Sequence, residues 1–95
     1  MRLSEITKKN WEWIEQMGWH KSTVLERLAL ICSEVGEAVN ECRGTKPTDK
    51  FGSELADIIL RTVDLAYSQG IDIEAEIIAK MVKNQENGNY KGRVV

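Results

Sequence analysis

The chain has one histidine, one proline and two cysteines among its 95 residues, and each scarcity removes a class of explanation. A single histidine, His20, cannot build the paired Glu-x-x-His motifs of a di-iron helical bundle. Nor can one histidine and two cysteines supply four ligands at zinc-site spacing. Cys32 and Cys42 fall within one helical pattern, about 15 Å apart along a straight helix, too far for a disulfide. They read as small core residues of a reduced, cytoplasmic protein. No apolar run approaches the ~20 residues of a membrane span, so no membrane partner is expected. Met1-Arg2-Leu3-Ser4-Glu5 shows no apolar stretch of a secretory signal. The formal net charge of −2 leaves no basic field to recruit a nucleic acid polymer.

What is present fits one small soluble domain spanning residues 1–95. The apolar and charged fractions, 42% and 29%, are those of a globular chain able to bury a single modest core. Apolar residues recur at helical spacing in four segments, with no convincing strand, which predicts an all-α, four-helix bundle-like fold. The first segment runs from about Ser4, as N-cap, to Met17 and stops at Gly18. Ile6, Trp13 and Met17 share its apolar face, with Leu3 and Ile14 flanking. Asn10 also sits there, a position explained by a bond to nearby backbone. The second segment starts at Ser22 and carries Val24, Leu28, Ile31, Val35, Ala38 or Val39, and Cys42 on one stripe.

The third segment, from about Asp49 to Gln69, follows a turn over Gly44–Thr48 in which Thr48 is a candidate N-cap. Its apolar arc passes half the circumference, so it is either central or faces another subunit. Asp72 caps the fourth segment, whose inner face carries Ile73, Ile77 and Met81.

Within these helices lie two pairs of carboxylates: Glu34 with Glu37, and Glu54 with Asp57. Residues at i and i+3 share a helix face, where like charges repel by a few tenths of a kcal/mol. Glu34, Glu37 and Glu41 run beside the apolar stripe of their helix, not opposite it. There a carboxylate is partly buried and needs a partner. Four carboxylates from two antiparallel helices offer hard oxygen donors only, which suit Mg²⁺ or Mn²⁺. The plain alternative is a pair of solvated helix faces. Likewise Lys80 could pair with Glu76, and Arg61 with Asp57 or Asp64.

Glu34-x-x-Glu37, sixteen intervening residues and Glu54-x-x-Asp57 together resemble the signature of the MazG-like, all-α nucleoside triphosphate pyrophosphohydrolases. Ser33-Glu34-Val35-Gly36-Glu37 looks like that family's first motif, and Glu54-Leu55-Ala56-Asp57-Ile58-Ile59 like its second. Gly70-Ile71-Asp72, before a last helix with Lys80 and Asn84, is also similar; the resemblance covers roughly residues 20 to 85. It implies Mg²⁺-dependent hydrolysis of a nucleoside triphosphate between the α- and β-phosphates. Glu34, Glu37, Glu54 and Asp57 would be the metal ligands, and Glu34 would also orient or deprotonate the attacking water. Lys80 and Asn84 would hold phosphate oxygens. Many relatives carry an arginine where this chain has Asn87, a role that Arg93 or Lys91 could take.

Trp11, Trp13 and Trp19 place three indoles in the first twenty residues, and indole faces stack on bases. Trp19 and His20, just ahead of the first acid motif, are the better base-pocket candidates, with Trp13 beside them. The packing alternative makes Trp13 core and Trp11 a partly exposed anchor, and leaves His20 a simple loop residue. The resemblance further implies a substrate site near a subunit interface, in a homodimer or homotetramer. Two other activities remain open: phosphoribosyl-ATP pyrophosphohydrolysis, and a non-catalytic helical interaction or regulatory module.

Overall fold

A computed structural model describes residues 1–87 of the chain. Four α-helices follow one another: α1 (Leu3–Gln16), α2 (Val24–Asn40), α3 (Phe51–Ser68) and α4 (Ile73–Asn87). No strand occurs among the described residues. The fold is therefore all-α, as the periodicity predicts.

The N-cap of α2 is Thr23, not Ser22. Its hydroxyl accepts from the Glu26 N–H at 3.2 Å, and Glu26 accepts from the Thr23 N–H at 3.0 Å. Ser22 has Leu25 three residues on and cannot close such a box. The N-cap of α1 is Arg2 rather than Ser4, and there only one half of such a box forms, the Arg2 N–H donating to Glu5 Oε1. Thr48 shapes the turn ahead of α3 rather than capping the helix. Its N–H donates to the Glu41 carbonyl at 2.9 Å and its hydroxyl accepts from the Lys50 N–H at 3.2 Å. Asp72 does cap α4, accepting from the Ala75 N–H at 3.1 Å. Gly18 and Gly70 end α1 and α3 with φ of 70°, where a side chain would be strained.

Helix α3 is the hub. It packs most extensively on α2, then on α1, and least on α4, which accounts for its broad apolar arc. The buried apolar set is small: Ala38, Ala66 and Val63, the last only 2% exposed. Two polar residues, Thr7 and Asp64, are buried with them. Thr7 donates to the Leu3 carbonyl, and Asn10 Nδ2 donates across to the Leu60 carbonyl at 3.4 Å. Satisfied in this way, both polar residues can face the packed side of α1. That rotates the helix relative to the sequence expectation. Leu3, Ile6, Asn10 and Ile14 turn toward α3 while Trp13 and Met17 face outward.

Helix α2 is rotated too. Its less exposed positions are Arg27, Ile31, Glu34, Ala38 and Glu41, and it leaves Leu28, Val35 and Val39 exposed. Cys32 and Cys42 are exposed free thiols, not core residues, because the stripe facing α3 runs through the acids beside them. On α4 only Ile73 of the expected inner face is partly covered. Ile77 and Met81 are exposed, and α4 has no buried residue.

The buried charge on α3 is compensated from two directions. Arg27 of α2 reaches Asp64 Oδ2 and donates to Ser68 Oγ at 2.8 Å. His20 Nε2 lies 2.8 Å and 3.0 Å from the two Asp64 oxygens. Removing one partner of a buried pair leaves the other uncompensated. Asp64→Ala is expected to lower the unfolding free energy by about 3 kcal/mol. Arg2→Ala, at the exposed pair with Glu74, should change it by less than about 0.5 kcal/mol. Urea unfolding of both variants checks the contrast.

Candidate metal centre and adjoining cleft

Arg27 pairs with Asp64 near one end of the α2–α3 hairpin, and Glu34 pairs with Arg61 farther along. The two helices therefore run antiparallel, and this register sets Glu34 opposite Glu54 and Asp57. One oxygen from each of these three lies within 4.8 Å of the others. Glu34 Oε1 accepts from Arg61 Nε at 2.9 Å, a partner other than the Asp57 or Asp64 expected for Arg61. Glu34 Oε2 and Glu54 Oε2 are buried and have no hydrogen-bond partner among the described residues.

Glu37 stands beside this trio rather than in it. Its carboxyl is held above the usual glutamate range, chiefly by the negative charge of Glu34. The charge of Glu54 adds to the effect. A carboxylate oxygen taken from water and left unpaired is costly. Two carboxylates with such oxygens, grouped with a third acid, form a hard-oxygen donor set of the kind that Mg²⁺ and Mn²⁺ take. Glu34, Glu54 and Asp57 could hold the ion directly, with Glu37 alongside.

Next to the acids opens a cleft of about 320 Å³. Trp13, Ile14, Trp19, Leu30 and Leu60 line its apolar side. Its polar side is made by Asn10, Arg27, Arg61 and Asp64, with Glu34 and Asp57 at the edge toward the acid trio. Trp13 and Trp19 meet edge to face, with ring centroids 5.1 Å apart, and about half of each indole is exposed. The packing alternative for the tryptophans is thereby inverted. Trp11 is the more covered ring, stacked on His20 at 4.9 Å and tilted against Tyr67.

No family model, curated protein or solved structure matches this chain. The case for a function rests on residues and geometry.

The cleft brings together some of the sequence-predicted residues and not others. Glu34, Asp57, Trp13 and Trp19 line it. Glu54 joins through the acid trio. His20 lies behind it, its Nδ1 against Glu15 Oε2 and its Nε2 against Asp64, so it braces the wall. Lys80 and Asn84, on α4, do not line the cleft. Lys80 is exposed, and neither Glu76 nor any other acid pairs with it among the described residues. Arg93 and Lys91 lie outside the described residues.

Arg27 and Asp64 had not been singled out as site residues, and Arg61 only as a pairing partner for acids. Their spacing held a signal. Asp57, Arg61 and Asp64 step by four and three along α3, continuing the face of the acid motif. A second hollow of about 360 Å³, lined in part by Thr7, Tyr67, Ile71, Asp72 and Glu74, contains no such cluster, and its Asp72 is occupied in capping α4.

The raised proton affinity of Glu37 has a definite sign. In the fold it releases its proton at higher pH than in the unfolded chain. The folded state thus binds more protons between those two values, and stability falls as pH rises through them. In chelator at low salt, the melting temperature of the wild type is expected to decline as the pH rises above the ordinary glutamate range. Glu37→Gln should flatten that decline and melt a few degrees higher at the upper pH. Saturating Mg²⁺ should raise the wild-type value by linkage. Differential scanning fluorimetry across pH reads all three effects.

Proposed function

We propose that the chain is a Mg²⁺-dependent pyrophosphohydrolase of nucleoside triphosphates, of the MazG-like all-α kind. In this reading it releases a nucleoside monophosphate and pyrophosphate, and clears non-standard or surplus nucleotides in the cytoplasm. One observation carries it: Glu34, Glu54 and Asp57 converge within 4.8 Å, with buried unpaired oxygens on Glu34 and Glu54. These are the acids that the motif resemblance would make ligands. The cleft beside them, walled by Trp13 and Trp19, suits a base that stacks on indole.

In this reading Glu34, Glu54 and Asp57 hold the cation. When bound, it neutralises phosphate charge and lowers the pKa of a bound water. Glu37, next to the trio and outside the set that would hold the cation, accepts the proton of the water that attacks the α-phosphorus. This moves the proton-accepting role from Glu34, one of whose oxygens is held by Arg61, to its neighbour. The bond to the β-phosphate breaks and pyrophosphate leaves. The apolar wall of the cleft excludes bulk water around the base.

Purified protein with Mg²⁺ is expected to release pyrophosphate from at least one member of a panel of ribo- and deoxynucleoside triphosphates. The panel includes phosphoribosyl-ATP. Glu54→Gln and Asp57→Asn should each lower the rate by more than roughly 100-fold while circular dichroism stays helical. A wild type inert across the panel sinks the reading.

A homodimer, or a tetramer of two dimers, belongs to the same proposal. Leu55 and Ile59 on α3 and Ile77, Ile78, Met81 and Val82 on α4 are exposed large apolar side chains. Exposed apolar surface on this scale is characteristic of an interaction site. A second copy of the chain is its proposed occupant. Light scattering should give a multiple of the 10.8 kDa chain mass, and Ile78→Glu should shift the population toward monomer. A monomeric wild type at micromolar concentration counts against the assembly.

A further inference from the structure

Two guanidinium groups border the cleft at the edge of the acid trio, and they differ in whether their terminal nitrogens are engaged. Arg27 is committed: one terminal nitrogen meets Asp64, the other Ser68, and its side chain is 14% exposed. Arg61 lies one turn beyond Asp57 on α3. Its Nε donates to Glu34 Oε1, and the side chain is 44% exposed. The terminal nitrogens of Arg61 make no hydrogen bond among the described residues. A guanidinium has five N–H donors in a rigid planar fork, so most of its donor capacity remains. Lys80 and Asn84 do not line this cleft. Within one chain, Arg61 is therefore the available cation that borders the cleft and touches the acid trio.

We infer that Arg61 is the phosphate ligand of this site and that it couples nucleotide binding to cation binding through Glu34. The inference rests on the pyrophosphohydrolase reading and goes beyond the residues that the motif resemblance assigns. Its physical basis is the sharing of one carboxylate. Arg61 puts a positive charge on Oε1 of Glu34, whose Oε2 is buried without a partner, and the same carboxylate lies within 4.8 Å of those of Glu54 and Asp57. A divalent cation taken by that second oxygen meets the repulsion of the guanidinium a few ångströms away. A triphosphate in the cleft reverses the balance. Its oxygens accept two parallel bonds from the terminal nitrogens, and its negative charge offsets the repulsion. Cation and nucleotide then each tighten the binding of the other, as linkage requires.

The test is Mn²⁺ binding read by electron paramagnetic resonance on the wild type, Arg61→Ala and Arg61→Lys. Each is titrated with and without the α,β-methylene analogue of the triphosphate that the wild type hydrolyses fastest. Without nucleotide, Arg61→Ala is expected to bind Mn²⁺ roughly 3–10-fold more tightly than the wild type. Its affinity for the analogue in the presence of Mn²⁺ should fall by roughly tenfold or more. Arg61→Lys keeps the charge and loses the fork. It should retain the weaker Mn²⁺ binding yet lose several-fold in analogue affinity, and it serves as the reporter should the alanine variant fail to fold.

Unchanged or weaker Mn²⁺ binding in Arg61→Ala without nucleotide, or wild-type analogue affinity in both variants, overturns the inference. If the wild type hydrolyses nucleotides and binds Mn²⁺ while the variants behave like it, only the role of Arg61 falls. A wild type that takes no Mn²⁺ and releases no pyrophosphate removes the underlying reading with it.

Discussion

Carboxylates between two packed helices must be compensated, and the α2–α3 hairpin is graded by how completely that is done. At one end Asp64 is buried, and Arg27 and His20 cover both of its oxygens. Farther along, Glu34 has one oxygen on Arg61 and one on nothing. Beyond it Glu54 has a buried oxygen with no partner, and Glu37 holds its proton more tightly because of the charges around it. The compensated end serves the fold, since it ties the α1–α2 connection and both hairpin helices together. The uncompensated end is where the chain stores unfavourable charge, which is what a site for a cation requires.

Helix identity and count could be read from spacing, because amphipathic periodicity depends only on local geometry. Helix rotation could not. Thr7 and Asn10 occupy the packed side of α1 because each donates to a carbonyl, and the Asn10 acceptor, Leu60, is fifty residues away. Sequence spacing carries no record of such a partner. The same blindness put Cys32 and Cys42 in the core. The stripe of α2 that meets α3 contains Arg27 and Glu34, charges that binary patterning places outside. The acid pairs were legible because two copies of one motif recur at matched positions. Arg61 and Asp64 were not legible as site residues, since a charged residue on a helix is most often solvated.

Much of what the chain leaves exposed is apolar, and this bears on the same point. Helix α4 has no buried residue, and α3 still shows Leu55 and Ile59 to solvent. A core reduced to Val63, Ala38 and Ala66 is small for 95 residues, where domains of this size already bury a limited share of their surface. The single chain is thus short of apolar burial at α4 and short of positive charge at Glu54. On the proposed reading a second copy supplies the first and a divalent cation the second.

These two shortfalls differ in how readily they could be removed. An exposed leucine or isoleucine costs a folded chain little, and scattered ones are ordinary. A buried carboxylate oxygen without a partner is a standing cost. A glutamine at position 54 would relieve the charge at nearly constant volume, and a lysine within reach would cancel it. Position 54 is a glutamate, and among the described residues no lysine pairs with it. Among the described residues, Arg61 is spent on Oε1 of Glu34, while Oε2 of Glu34 and Oε2 of Glu54 stay without a partner. An arrangement that lowers the stability of the isolated chain is explained when a ligand restores it.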